Sequence, residues 1–404
     1  MEIYLVGGAV RDELLGLPVI ERDWVVVGAN ADTLLGQGYT AIGKHFPVFL
    51  HPETHEEYAL ARTERKSGSG HQGFVVHADP SVTLEQDLQR RDLTINAIAQ
   101  RSDGALIDPC GGLKDLKQRK LRHIGPAFSE DPLRILRVAR FAAKLAHLGF
   151  RIADETLQLM KAMSQGGELA TLSPERIWTE TEKALCEASP QDFLRSLYRC
   201  EALAALAPEL NQQLHRQELF DRVETNIGKR IFAALEYAAK HDHSAESRFG
   251  IALHAVDTAE KPRNLGLKSL PDKDTKNPSI NAICARMKVP NRFREMAELA
   301  NRYFNFALTA DSAKPDAILD LFERCDAWRR AERFEQFLQC CEALASTGDP
   351  QQPSAALPFL RTAFKRAQSV SAEEFVAAGI EGAAIGESLR NARKTVIASV
   401  KQQF

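Results

Sequence analysis

No apolar run in this 404-residue chain approaches the roughly 20 residues that a membrane-spanning helix needs. The first residues, Met1-Glu2-Ile3-Tyr4-Leu5, lack the basic stretch and long apolar segment of a secretory leader. The seven cysteines include no Cys-x-x-Cys pair, and the only neighbours, Cys340 and Cys341, sit in a helical pattern. Reduced thiols in a cytoplasmic protein are therefore expected rather than a disulfide framework. Excess positive charge is also missing. A formal net charge of −2 means that any nucleic-acid contact must come from a local basic surface. There is no internal repeat and no low-complexity tract. What remains is 44% apolar and 26% charged, the composition of a globular chain too long for one core. Two to four domains are expected.

The first 125 residues mix strand and helix signals. Strands are expected at Ile3–Val6, Trp24–Val27, Phe46–His51, Glu56–Arg62 and Ala105–Asp108, with helices at Val10–Leu15, Ala31–Gln37, Thr83–Gln89 and Leu113–Gln118. From about residue 130, apolar spacing turns helical, as in Leu136, Phe141 and Leu145 and in Phe193, Leu197 and Leu203, and strand signals almost vanish. Two polar breaks, Asp257 to Ser279 and Ser346 to Ala355, read as loops. So does the Ser/Gly-rich stretch Ala61 to His71, whose basic residues suit either an exposed hairpin loop or a mobile element shaping catalysis.

Two short segments near the start carry chemistry. The strand Ile3–Val6 stops at Gly7-Gly8 and turns into a helix. Glycines there let backbone N–H groups come close to a phosphate, although such a pair taken alone is commonly just a tight turn. A dozen residues on, Glu21 and Asp23 stand at i and i+2 where a valine-rich strand begins, so both carboxylates are expected on one face. Hard oxygen ligands suit Mg²⁺, which commonly bridges to substrate phosphates. Together the two segments point to nucleotidyl transfer.

Arg90-Arg91-Asp92-Leu93-Thr94-Ile95-Asn96-Ala97 follows. Its arginines could clamp triphosphate oxygens, with Asp92 or Thr94 capping a helix. Next, in Glu130-Asp131-Pro132-Leu133-Arg134, Asp131, Arg134, Arg137 and Arg140 recur every three residues, a ridge winding round a helix. That ridge could be a solvated face stapled by an Asp–Arg pair. It could also read bases. A carboxylate accepting from an exocyclic amine beside a guanidinium donating to a ring nitrogen fits C and A and rejects G and U. Each such contact discriminates by roughly 1–3 kcal/mol.

These motifs, together with Leu172-Ser173-Pro174-Glu175-Arg176-Ile177-Trp178, resemble the bacterial class II tRNA nucleotidyltransferases, the CCA-adding enzymes, close to the enterobacterial type. The likeness is nearly continuous over residues 1–210. It implies an α+β chain: a small polymerase-β-like head with a mixed sheet and helices, then an all-α neck, body and tail. The expected divisions are head 1–138, neck 139–210, body 211–345 and a tRNA-binding tail 346–404. The resemblance implies addition of C, C and A to the tRNA 3′ end from CTP and ATP with Mg²⁺. By match of motif, Glu21 and Asp23 would be catalytic and hold the metal. Gly8, Arg11, Arg91, Asp131, Arg134, Arg137 and Arg140 would bind the nucleotide. A monomer is expected, with a homodimer as the alternative.

Two departures stand out. The family's metal pair is normally Asp and Asp, and position 21 is Glu; repair to Asp is expected to raise the rate at low Mg²⁺. The multifunctional members also carry an HD phosphohydrolase domain in the C-terminal half. Here Gly228 stands where the first His belongs, and His254-Ala255 stands for His-Asp. His241-Asp242-His243 reads as surface polar residues. The ligand set is broken, so no hydrolase activity is expected. Alternatives are a poly(A) polymerase, disfavoured by the lack of a long basic tail, and a CC-only enzyme, disfavoured by the loop at 61–74. A third is a catalytically weakened tRNA-binding protein of the same fold, favoured by Glu21 alone.

Overall fold

The computed structural model describes residues 1–42, 48–66, 74–220, 223–257, 270–271, 277–348 and 355–404. The chain divides into two compact units, residues 1–184 with 192–206, and residues 185–191 with 207–404. No helix among the described residues is long and apolar enough to cross a membrane.

The first unit opens with β1 (Glu2–Val6), α1 (Gly8–Leu14), β2 (Asp23–Val27), α2 (Ala31–Gly36), β3 (Thr40–Ile42), β4 (Val48–Leu50) and β5 (Glu57–Leu60). A hairpin follows, β6 (Thr63–Lys66) with β7 (Phe74–His77), then α3 (Leu84–Gln89), β8 (Ala99–Gln100), β9 (Leu106–Ile107) and α4 (Gly112–Gln118). Seven of these strands form a mixed sheet in the order β3-β4-β5-β2-β1-β8-β9. Strand β2 lies at its centre. It is antiparallel to β1, with Val6 opposite Asp23, and parallel to β5, with Asp23 opposite Glu57.

Alternation along β2 sorts its side chains. Trp24 and Val26 pack on one face with Leu34, Tyr39, Phe49 and Tyr58. Val25 packs on the other with Tyr4, Val6, Leu88 and Ala97. Asp23, two residues from Val25, therefore shares the second face. Helix α3 starts with a capping box. The Thr83 hydroxyl accepts from the Gln86 N–H, and the Gln86 side chain accepts from the Thr83 N–H.

Several elements differ from those expected from the sequence. Strand β3 was not foreseen. The strand expected from Phe46 is described only from Val48, residues 43–47 lying outside the described ones. Thr63–Lys66, read as loop, is strand; residues 67–73 lie outside the described ones. The arginine motif does not open an α-helix but a single 3₁₀ turn, Thr94–Asn96. Its polar groups have other partners than a helix start: Asp92 accepts from the Leu93 N–H and from Asn96, and the Thr94 hydroxyl donates to Asp115 on α4. Strands also persist beyond residue 130. β10 (Lys120–Leu121) pairs in parallel with β11 (Arg151–Ile152), and Gln217–Phe220 pairs with Val223–Asn226.

Between the last two strands of the first unit runs α5 (Leu133–Leu145), followed by α6 (Asp154–Gln165) and α7 (Pro174–Cys186). From Asp131 to Leu145 only Asp131, Arg134, Arg137, Arg140 and Lys144 are not buried. The ridge is thus a narrow polar seam on an enclosed helix, not a broad solvated face.

The second unit is helical. Helices Ile227–Lys240, Ala245–Leu253, Asn291–Ala307 and Ala331–Ala345 surround a core rich in phenylalanine, including Phe293, Phe304, Phe306, Phe334 and Phe337. Cys340 and Cys341 are buried in the fourth helix, and burial pushes both thiols up. The helix Ala383–Lys401 ends the chain's regular structure. Of the two expected loops, residues 258–269, 272–276 and 349–354 lie outside the described ones.

Candidate active site

The acidic pair sits at the entry of the central strand. Strand β2 begins at Asp23, so Glu21 lies ahead of it in irregular backbone rather than in the strand. This corrects the i, i+2 strand geometry, though not the proximity of the two carboxylates. Enclosure by the protein pushes the Asp23 carboxyl up, the neighbouring Arg91 guanidinium pulls it down, and the charge of Glu21 raises it again. A divalent cation between the two carboxylates would relieve that strain. Among the described residues no group of three or more His, Cys, Asp or Glu could hold a metal. A pair of carboxylates still fits Mg²⁺, which fills its remaining positions with waters and substrate phosphates.

Beside the pair, β1 turns into α1 at the two glycines. Gly7 carries φ 73°, and a Cβ there would lie 2.9 Å from Arg91 Nη1. Gly8 opens the helix without strain, and its added Cβ would make only ordinary contact with Arg11 Nη2 at 3.5 Å. The glycine that the turn demands is therefore Gly7, a residue the sequence reading quoted but did not assign.

Arg91 is held at the turn by Asp87, whose Oδ2 accepts from its Nη2 at 3.2 Å. Asp87 is fully buried. Its Oδ1 also accepts from Arg90 at 2.8 Å and from the Arg62 N–H at the base of the hairpin. Burial would lift this carboxyl, but Arg90 and Arg91 hold it below its ordinary value.

A chain of charged groups then links the head to α5 and α7. Lys144 Nζ donates to Asp12 Oδ2 at 2.8 Å, and Asp12 Oδ1 accepts from Arg11 Nε at 2.8 Å. Arg11 Nη1 donates to Asn96 Oδ1 at 2.5 Å, and Asn96 donates to Asp92 Oδ1 at 3.0 Å. Asp92 Oδ2 accepts from Arg137 Nε at 2.7 Å. Arg140 Nε donates to Glu180 Oε2 at 2.6 Å, with Arg137 Nη1 3.9 Å from the other oxygen of Glu180. Burial acts to raise the Asp92 carboxyl, yet Arg137, Asn96 and Arg134 hold it well below the usual carboxylate range. Asp12, Asn96, Lys144 and Glu180 were not foreseen. Asn96 stood in a quoted motif, and Glu180 lies one helical turn after the quoted Arg176, which puts both on one face of α7.

The two candidate base readers are fixed in place. Asp131 Oδ2 accepts from Arg176 Nη2 at 2.8 Å, and its Oδ1 accepts from the Leu133 N–H at 3.0 Å. Arg134 donates from Nη1 to the Ala127 carbonyl at 3.0 Å and from Nη2 to the Arg90 carbonyl at 2.7 Å. A carboxylate offers about four acceptor positions, so Asp131 keeps acceptor capacity beyond these two bonds, and the two carbonyls orient the Arg134 guanidinium.

In the second unit, the hydrolase positions are built shut. A Cβ at Gly228 would lie 2.7 Å from the Leu214 carbonyl oxygen, which excludes any side chain there. Arg230 Nη2 lies 2.9 Å from His254 Nε2, while His254 Nδ1 donates to the Ile251 carbonyl at 2.8 Å. A carbonyl can only accept, so Nε2 carries the lone pair and a guanidinium N–H points into it where a metal would bind. His243 is buried, against the surface reading, and packs edge-on to Tyr237. Burial keeps its imidazole below the ordinary value.

A glycine turn beside an acidic strand end, arginines gathered around it and helices behind define a nucleotidyltransferase with a poly(A) polymerase type of head. Residues 3–122 match the family described as Poly A polymerase head domain, and residues 149–214 match the probable RNA and SrmB-binding site of polymerase A. The chain belongs to the bacterial multifunctional CCA protein family: it is 48% identical over 407 residues to the Multifunctional CCA protein of Thioalkalivibrio sulfidiphilus, covering 100% of both chains. In fold it is similar to the Bacillus stearothermophilus CCA-adding enzyme in complex with CTP, at 22% identity and TM-score 0.65, covering 98% of this chain and 89% of that one. It is also similar to the Thermotoga maritima CCA-adding enzyme complexed with tRNA, at 20% identity and TM-score 0.61, covering 100% and 91%.

Proposed function

We propose that this protein adds and repairs the 3′-terminal C-C-A of tRNA from CTP and ATP without a nucleic-acid template, releasing pyrophosphate. The observation that supports it most is the rigid Asp131/Arg134 pair, held by Arg176 and by two backbone carbonyls beside the glycine turn and the acidic strand end. In this reading Glu21 and Asp23 hold Mg²⁺, which would supply charge neutralisation at the reacting phosphate and a lowered pKa for the attacking hydroxyl. Arg91 lies against Gly7 and next to Asp23, where it meets triphosphate oxygens. Gly8 opens the helix that faces them, and Arg11, buried between Asp12 and Asn96 beneath that turn, adds its charge to the same site. Arg137 and Arg140, further along the seam, contact ribose or phosphate. Asp131 accepts from the exocyclic amine of C or A, and Arg134 donates to the adjacent ring nitrogen. Residues 346–404 act as the tail that carries tRNA, in a protein that works in the cytoplasm as a monomer.

The Asp131/Arg134 pair would read A in a poly(A) polymerase as well; what favours the C-C-A reading over that one is the 48% identity, along the whole chain, to proteins named Multifunctional CCA protein. The proposal is tested with a tRNA transcript lacking its last three residues. CTP alone should add two nucleotides, and CTP with ATP should add three. A ladder of A residues, or no extension by the parent, would remove the reading.

A further inference from the structure

Three guanidinium groups of the candidate site converge on one aromatic ring. Phe141 on α5 is buried, and its ring centroid lies 5.1 Å from the guanidinium carbon of Arg11, 5.8 Å from that of Arg137 and 4.6 Å from that of Arg140. Arg11 comes from α1, whereas Arg137 and Arg140 precede Phe141 on its own helix by four residues and one.

Each of the three cations has a carboxylate partner: Asp12 for Arg11, Asp92 for Arg137 and Glu180 for Arg140. Lys144 shares Asp12. The cluster so defined holds four cations and three carboxylates. Like charges brought this close repel. An aromatic ring adds an attraction common to all three guanidiniums, because its negative face draws cations within about 6 Å of the centroid.

We propose that Phe141 is a positioning residue for nucleotide binding. Its ring fixes the buried Arg11 of α1 in register with Arg137 and Arg140 of α5, so that the two partly exposed guanidiniums of α5 meet the ligand from one preorganised array. The inference rests on the proposed nucleotidyl-transfer site and adds a determinant that lies beneath it. Phe141 touches no substrate; it acts through the arginines. An aliphatic side chain of similar size would keep the packing and lose the ring's quadrupole, leaving the arginines free to splay toward their separate carboxylates.

Equilibrium binding of CTP and of ATP, read beside melting temperature and single-nucleotide incorporation, tests this on Phe141→Leu, Phe141→Met and Phe141→Tyr. The Leu and Met variants should fold, bind both nucleotides about fivefold to tenfold more weakly and raise KM with little change in kcat, while the Tyr variant should bind like the parent. Parental affinity in either aliphatic variant would overturn the proposal. So would a Tyr variant as weak as the aliphatic ones, since a purely steric role makes no distinction between ring and chain. A parent that binds CTP and ATP but fails to extend tRNA would overturn the transfer reading and leave the role of Phe141 in binding to stand on the variants.

Discussion

Asp23 begins the central strand and is fixed by pairing on both sides, with Val6 and with Glu57, whereas Glu21 hangs on irregular backbone before it. Asp23→Ala should therefore abolish CTP and ATP incorporation while tRNA binding, measured by filter retention, stays near parental. The same difference changes the outlook for position 21. A longer side chain on a strand would push the carboxylate off the metal, as the sequence alone suggested. On an exposed segment outside the sheet the backbone can take up the extra methylene. Mg²⁺ titrations of the parent and Glu21→Asp should superimpose; a clear gain at low Mg²⁺ would show that the segment is rigid after all. For base choice, Asp131→Ala and Arg134→Ala should each raise UTP or GTP incorporation relative to CTP and ATP, by roughly 1–3 kcal/mol per contact. Arg137→Ala and Arg140→Ala should weaken all four nucleotides alike. One common selectivity profile for the four variants would reduce the seam to ordinary helix stapling.

At the scale of elements, the tie between the 3₁₀ turn and α5 rests on Asp92 and Arg137. The Asp92 carboxyl ionises below its ordinary 3.8 in the folded protein, so the pair stabilises in full at neutral pH and fades as pH falls below about 4. Melting curves should show Asp92→Asn below the parent at pH 7 and converging with it in acid; a constant gap would mean that the charge is not what matters. The sequence conveyed this region unevenly. Gly-Gly, the acidic pair and the seam were visible because each is local and carries its own chemistry. The helix expected after Arg91 was wrong because capping residue types look alike in sequence whether they start a helix or, as Asp92 and Thr94 do here, stand at the start of a single turn and bond elsewhere. Strand β3 has three residues and no strong alternation, so only its pairing to β4 reveals it. The partners of the basic side chains, from 40 residues away for Arg140 with Glu180 to 132 for Lys144 with Asp12, depend on tertiary assembly that spacing does not encode.

Across the whole molecule, a mixed α+β head and helical remainder were legible from the change in period near residue 130, and family membership agrees with it. Burial of His243 was not legible, since His241-Asp242-His243 reads the same whether its turn faces solvent or core. In the second unit, Gly228 packed on the Leu214 carbonyl and Arg230 donating to His254 close these two positions to a catalytic metal. With Ni²⁺, Mn²⁺ or Mg²⁺ the protein should release no phosphate from 2′,3′-cyclic nucleotides or 2′-AMP; metal-dependent turnover lost on His254→Ala would refute that. The central claim, that the protein itself supplies the order and number of added bases, is tested most directly by sequencing the 3′ ends of a tRNA transcript lacking C-C-A. The transcript is incubated with all four nucleoside triphosphates and either the parent or Arg134→Ala. The parent should yield C-C-A ends and stop, and the variant should admit U or G. Parental products ending in mixed bases or in runs of A, or a variant as faithful as the parent, would contradict the account.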